Sequence, residues 1–291
     1  MTEAGIDRGG QERSDPGIDP GGQERSDPGI DPGGQERSDP RIDLGLEGRV
    51  VLVTGGVRGV GAGISAVFAE QGTTVVTCAR RPAEGLPYEF RSCDVRDPDA
   101  VAGLVAAIVD RHGRLDVVVN NAGGSPYVLA AEASPKFHQK IVELNLLGML
   151  NVSQAANAVM QNQPNGGSIV SISSVSAGRP SPGTAAYSAA KAGVESLTTT
   201  LAVEWAPKVR VNALVVGMVE TEQVELFYGD AESQAAVAAT VPLGRLAKPA
   251  DVGWAAAFLA SDAAAYISGA KMAVHGGGEP PAYLSASSAN K

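Results

Sequence analysis

From residue 48 onward the chain alternates two kinds of apolar pattern. Short continuous apolar runs at 50–53, 74–78, 115–119 and 168–172 are bounded by Gly, Asp or other polar residues, while stretches at 62–70, 100–111 and 142–160 read as helices. A short run that is apolar throughout predicts a strand buried on both faces. Strands separated by crossover helices predict a parallel, doubly wound sheet, because a helix carries the chain back to the start of the next strand. The pattern continues with a long helix at 185–205, a strand at 210–214, a helix near 249–259 and a last strand at 271–274. The expected fold is therefore α/β, a single-domain doubly wound parallel sheet with helices on both faces.

The first 44 residues break this pattern. Residues 5–16 read GIDRGGQERSDP, 17–28 read GIDPGGQERSDP, 29–40 repeat that string, and a decayed copy follows. One Ile per twelve residues buries too little to offset the ~1–2 kcal/mol of entropy each ordered residue costs, so residues 1–44 are expected to be disordered repeats and 45–291 the folded domain. The segment carries five Arg against eleven Asp plus Glu, which is −6 of the chain's formal −9. No basic face is left for nucleic acid or anionic lipid, and aromatics at 4% offer no stacking surface. Cys78 and Cys93 form no spaced pair and read as small buried hydrophobes in a reducing compartment. The polar N-terminus and the lack of any long apolar run predict no membrane association and a cytoplasmic protein. No metal is expected.

The run at 50–53 leads into Thr54-Gly55-Gly56-Val57-Arg58-Gly59-Val60-Gly61, which opens a helix. Glycine is needed there because a Cβ would hold a pyrophosphate off the helix N-terminus, whose free N–H groups bind anions. With the alternating pattern this predicts a Rossmann-type dinucleotide site. The spacing Gly-x3-Gly-x-Gly departs from Gly-x-Gly-x2-Gly, and no Gly-Lys-Ser/Thr follows, which excludes a nucleoside-triphosphate P-loop. Nineteen residues past Gly61, where an NAD enzyme carries an acid on the ribose, stands Ala79-Arg80-Arg81. An Arg fork matches a 2′-phosphate, so with Arg58 it favours NADP, NAD being the alternative. Asp94, read as closing the next strand with Val95, is placed to accept from the adenine amino group; a turn residue is the other reading.

Tyr187 and Lys191 lie four apart, on one face of the helix at 185–205. A nearby ammonium stabilises phenolate and makes a phenol a usable acid–base group near neutrality. Ser174 stands thirteen residues before Tyr187, Asn120-Asn121-Ala122-Gly123 ends the strand at 115–119, and Asn145 lies between them. With the glycine turn, this ordered set resembles the short-chain dehydrogenase/reductase family from about Leu46 to Gly277, and Tyr266-Ile267-Ser268-Gly269 and Val274-His275-Gly276-Gly277 resemble its last strand.

The resemblance implies an NAD(P)-dependent oxidoreductase interconverting a secondary alcohol and a ketone. Ser174 would bind the substrate oxygen, Tyr187 would exchange the proton, Lys191 would hold the nicotinamide ribose and lower the Tyr187 pKa, and Asn145 would support a water relay. Thr54, Gly55, Arg58, Gly59, Val60, Gly61, Arg80, Asp94, Val95, Asn121, Ala122 and Gly123, with Tyr187 and Lys191, would line the cofactor; Gly217, Val219 and Thr221 would meet its nicotinamide end. Two positions depart from the family: Val216-Gly217 replaces Pro-Gly, and His275 replaces an Asp and is read as structural.

The family's substrate lid falls on 219–243, whose apolar character suggests a hydrophobic substrate, a 3-oxoacyl thioester, a steroid-like ring or an aliphatic ketone; a packed helix pair that never meets substrate is the other reading. Arg179 reads as a loop residue or as a partner for an anionic substrate group. Small residues along 185–205 suggest helix pairing across two-fold axes, hence a homotetramer, with a dimer as the alternative. A catalytically silent dinucleotide sensor and a scaffold built on the repeats are the competing functions.

Overall fold

A computed structural model describes residues 43–288 apart from 82 and 84; the repeats at 5–40, and the disorder expected of them, lie outside the described residues. Seven strands, β1 (Val50–Thr54), β2 (Thr74–Ala79), β3 (Glu89–Ser92), β4 (Val117–Asn120), β5 (Gly167–Ser174), β6 (Val209–Val216) and β7 (Lys271–Val274), form one sheet in the order β3-β2-β1-β4-β5-β6-β7. Every pairing is parallel. The order reverses between β1 and β4, and the crevice at such a switch point is where doubly wound sheets bind ligands.

The helices are α1 (Gly59–Glu70), α2 (Pro98–His112), α3 (Pro135–Val142), α4 (Gly148–Met160), α5 (Ala185–Glu204), α6 (Val224–Tyr228), α7 (Ala231–Ala239), α8 (Pro249–Ala260) and α9 (Ala282–Ala286). Strand side chains alternate between two cores. Val50 and Leu52 pack with Val101, Ile108, Val152 and Leu201 from α2, α4 and α5, whereas Val51 and Val53 pack with Ile64, Phe68, Val252 and Leu259 from α1 and α8. This is why the strands read as continuous apolar runs and why helices cover both faces.

The structure departs from the sequence pattern in three places. The strand expected to close at Asp94 ends at Ser92, because the edge sequence Glu89-Phe90-Arg91-Ser92 has a single apolar side chain and no side chain fully buried. The helix expected at 142–160 starts at Pro135, capped by the Ser134 side chain, and passes through a π turn at Glu143–Leu147. The segment 219–243 contains α6 and α7, neither of which has a buried residue.

Helices α1 and α8 meet through Gly63, where a Cβ would lie 2.3 Å from the Pro249 Cβ, whereas one at Gly103 in α2 would meet nothing within 4 Å. One substitution should therefore have opposite effects at the two sites. Gly63→Ala should cost about 1–3 kcal/mol through overpacking, and Gly103→Ala should add about 0.5–1 kcal/mol through helix propensity. Urea midpoints measured for both variants decide the point.

Candidate active site

A cavity of about 870 Å³ runs along the carboxyl ends of the strands, from Arg80 and Asp94 past the glycine turn to Ser174, Tyr187 and Lys191. Gly55, Arg58, Gly59, Val60 and Gly61 line it from the first βα turn; Val95, Asn121, Ala122 and Gly123 line it from the ends of β3 and β4; Gly217, Val219 and Thr221 line it after β6. Thr54 and Asn145 do not. Both act beneath the cavity wall.

Thr54 is buried at the end of β1. Its hydroxyl accepts from the N–H groups of Asn121 and Ala122, both at 3.0 Å, and the Asn121 amide donates back to the Thr54 and Gly55 carbonyls at 3.0 and 3.2 Å. A Cβ on Gly61 would lie 2.2 Å from the Gly55 carbonyl oxygen, so only glycine lets α1 start this close to the turn. Asn145 occupies the π turn; its carbonyl oxygen accepts from the Gly124 N–H at 2.8 Å and its amide donates to the Gly124 and Ile141 carbonyls at 3.0 and 2.9 Å. The side chain thereby fixes the loop after β4, and a Gly123 Cβ would lie 2.6 Å from its oxygen and 3.5 Å from Lys191 Nζ.

The first turn of α5 supplies Tyr187 and the second Lys191. Lys191 Nζ donates to the Ile172 carbonyl at 2.6 Å and lies 5.5 Å from the Tyr187 ring centre. Burial pushes the ammonium down to about 8 from 10.5. Burial likewise pushes the Tyr187 phenol up; the facing Ser174 hydroxyl offsets part of the rise by hydrogen bonding, and Tyr228 adds to it. In the protein alone, desolvation thus outweighs any lowering of the phenol by Lys191. One N–H of the ammonium is taken by the Ile172 carbonyl, and Nζ lies over the Tyr187 ring.

Asp94 lines the cavity, but its carboxylate is gripped by Arg96 through Nε at 3.0 and 3.2 Å and Nη2 at 2.6 Å, which holds its pKa below the usual range. Arg58, Arg80 and Arg81 also line it, all exposed, and none is in an ion pair among the described residues. Arg179 is paired with Glu279 at 2.8 Å, so it meets the chain's own C-terminal segment. His275 lies outside the cavity; its Cβ would stand 2.8 Å from a Cβ on Gly217.

The cavity fits a dinucleotide. α1 has no acidic residue in its first turn and no side-chain cap from Arg58, so its positive end faces the cavity without an acid of its own. Sequence reasoning missed several lining residues, among them Cys78, Cys93, Leu144 and Glu222. The cysteines were legible only as core, and nothing local marks Glu222.

A family model described as enoyl-(acyl carrier protein) reductase matches residues 55–279. The chain belongs to the short-chain dehydrogenase/reductase family. It is 36% identical to the 3-oxoacyl-(acyl-carrier-protein) reductase FabG of Thermotoga maritima over 244 residues, spanning 80% of this chain and 98% of the relative. It is 33% identical to the 2-dehydro-3-deoxy-D-gluconate 5-dehydrogenase of Pseudoalteromonas atlantica over 247 residues, 80% of this chain and 96% of the relative. The ligand-free aldohexose dehydrogenase of Thermoplasma acidophilum superposes with a TM-score of 0.77 at 32% identity, covering 80% of this chain and 95% of that one. Members of the family are oxidoreductases that use NAD(P) and act on small molecules, and they are commonly oligomeric. No described helix is long and apolar enough to cross a membrane.

The Lys191 shift carries a sign. An amine depressed to about 8 in the folded state and near 10.5 unfolded holds fewer protons when folded, so its burial cost is full below pH 8 and fades as pH rises toward 10.5. Lys191→Met should be more stable than the parent at pH 7, by about 1–3 kcal/mol after loss of the Ile172 hydrogen bond. That advantage should shrink between pH 8 and 10.5 in parallel urea titrations.

Proposed function

We propose that residues 45–291 form an NAD(P)-dependent oxidoreductase domain that interconverts a secondary alcohol and a ketone. The observation that carries this reading is the convergence of Ser174, Tyr187 and Lys191 on the same cavity as the glycine turn and the N-terminal end of α1. The bound nicotinamide supplies or accepts the hydride. Ser174 donates to the substrate oxygen and stabilises charge developing there. Tyr187 gives its proton to that oxygen in reduction and takes it back in oxidation. Lys191 orients the ribose hydroxyls and, with the positive ring nearby, draws down a phenol that burial holds high. Asn145 acts as a positioning residue, holding the loop after β4.

NADP is favoured over NAD. Arg80 and Arg81 follow β2 and Arg58 immediately precedes α1, with no described carboxylate at the end of β2 to repel a 2′-phosphate. The segment 219–243 is read as the substrate lid: Phe227 and Tyr228 line the cavity, and Leu226 and Phe227 are exposed. This supports an apolar substrate such as a 3-oxoacyl thioester, the class named by the FabG relative. A homotetramer built on α5, with a dimer as the alternative, is read from its small residues and the exposed Val203. Light scattering checks the mass, and a monomer would refute it.

The deciding experiment measures turnover of a ketone panel with NADPH and NADH. Tyr187→Phe should lower kcat by about 10²–10⁴-fold while leaving dinucleotide binding intact; unchanged turnover would sink the mechanism. Arg80→Asp should lower the NADPH-to-NADH ratio of kcat/KM by at least ~10-fold, since it trades an attractive fork for a repelling charge. An unaltered ratio would remove Arg80 from cofactor selection.

A further inference from the structure

The glycine turn already holds an anion from the chain itself. The Gly59 N–H donates to Glu222 Oε2 at 3.1 Å, across 163 residues of sequence. A Cβ on Gly59 would lie 3.8 and 3.9 Å from the two Glu222 oxygens and 3.6 Å from the Thr221 methyl, so the carboxylate lies directly over the turn. Within α1 nothing else fills this place: Arg58 gives no side-chain cap, the first turn has no acid, and the first N–H to turn back along the chain is that of Ala62, to the Arg58 carbonyl at 3.1 Å. Glu222 is exposed and also lines the cavity, with no described cation paired to it.

We infer that Glu222 is an internal competitor of the dinucleotide: its carboxylate occupies the pyrophosphate seat, and cofactor binding requires its release. This rests on reading the cavity as the cofactor cleft. A pyrophosphate reaching the N–H groups at the start of α1 brings negative charge to the place the carboxylate holds, and two anions cannot share that donor at contact distance. A carboxylate at a helix N-terminus is worth a factor of ~2–30 in an equilibrium constant. The apparent affinity for cofactor falls by the fraction of molecules in which the seat is filled. Glu222 directly follows Thr221 and leads through Gln223 into α6, whose Phe227 and Tyr228 line the same cavity. Its release therefore moves the entrance of the lid segment, and cofactor binding and lid position become one equilibrium.

The test is equilibrium titration of the full chain, Glu222→Gln and Glu222→Ala with NADPH and NADH, read by reduced-nicotinamide fluorescence, and with ADP and adenosine by calorimetry. Both variants should bind NADPH, NADH and ADP about 5–20-fold more tightly, with adenosine affinity unchanged because it lacks the pyrophosphate. Losing the carboxylate from the start of α1 should lower the melting temperature of each variant by no more than a few degrees; the pair guards against one of them misfolding. Unchanged or weaker dinucleotide binding in the variants, or an equal gain for adenosine, would overturn the inference while leaving the cofactor reading standing. Failure of every protein, the parent included, to bind any dinucleotide would overturn the cofactor reading and this inference with it.

Discussion

The site depends on a knot of hydrogen bonds at the switch point of the sheet. β1 and β4 are neighbours whose chains leave in opposite directions, which opens the crevice between them. Thr54 closes its floor: one hydroxyl accepts the Asn121 and Ala122 N–H groups, and the Asn121 amide returns two bonds to the Thr54 and Gly55 carbonyls. These are backbone groups at strand ends, where ladder partners run out and an unpaired polar group costs about 1–3 kcal/mol. Satisfying them through one threonine and one asparagine fixes the glycine turn against the end of β4. With the turn fixed, Gly61 can start α1 against the Gly55 carbonyl, and the positive end of the helix points into the cavity.

The ionisation of Tyr187 and Lys191 is set by burial more than by neighbouring charge. Lys191 is almost fully enclosed, and its ammonium is held by one carbonyl, that of Ile172. A buried amine without a carboxylate partner among the described residues is unfavourable for folding, and such groups cluster where a protein puts chemistry ahead of stability. Tyr187 is raised by the same desolvation. The two groups are thus moved apart on the pH scale, the amine down and the phenol up, both by loss of water.

Much of the fold was legible because its signals are local. Runs such as Val50-Val51-Leu52-Val53 must be buried on both faces, and the Tyr187 and Lys191 spacing fixes a shared helix face whatever surrounds it. Edge strand β3 was misplaced because Phe90 is its only apolar residue, and the π turn was invisible because it depends on Asn145 bonding to Ile141 and Gly124 at once. Thr54 and Asn145, which the sequence suggests as site residues, stand behind the cavity wall, where they hold backbone. Glu222 and the pairing of Arg179 with Glu279 depend on residues 163 and 100 positions apart, and no periodicity reports such distances.

The segment after β6 differs in kind from the rest of the wall. β6 stays paired with β7 through Val216 and Val274, and Gly217 donates to the Val274 carbonyl at 3.0 Å, so the departure from Pro-Gly leaves the strand end ordered. Beyond it, α6 and α7 contribute no buried side chain, and a bridge between Val219 and Ala247 is the last sheet-like tie. A segment with so little buried apolar surface opens at a lower free energy than the sheet it covers. Both halves of the cavity share it, since Thr221 and Glu222 lie against Gly59 of the glycine turn while Tyr228 acts on the Tyr187 phenol. Substitutions there can therefore reshape this part of the cavity wall without disturbing the knot at Thr54 or the burial of Lys191, which is the division of labour expected when variable loops ride on a rigid strand edge.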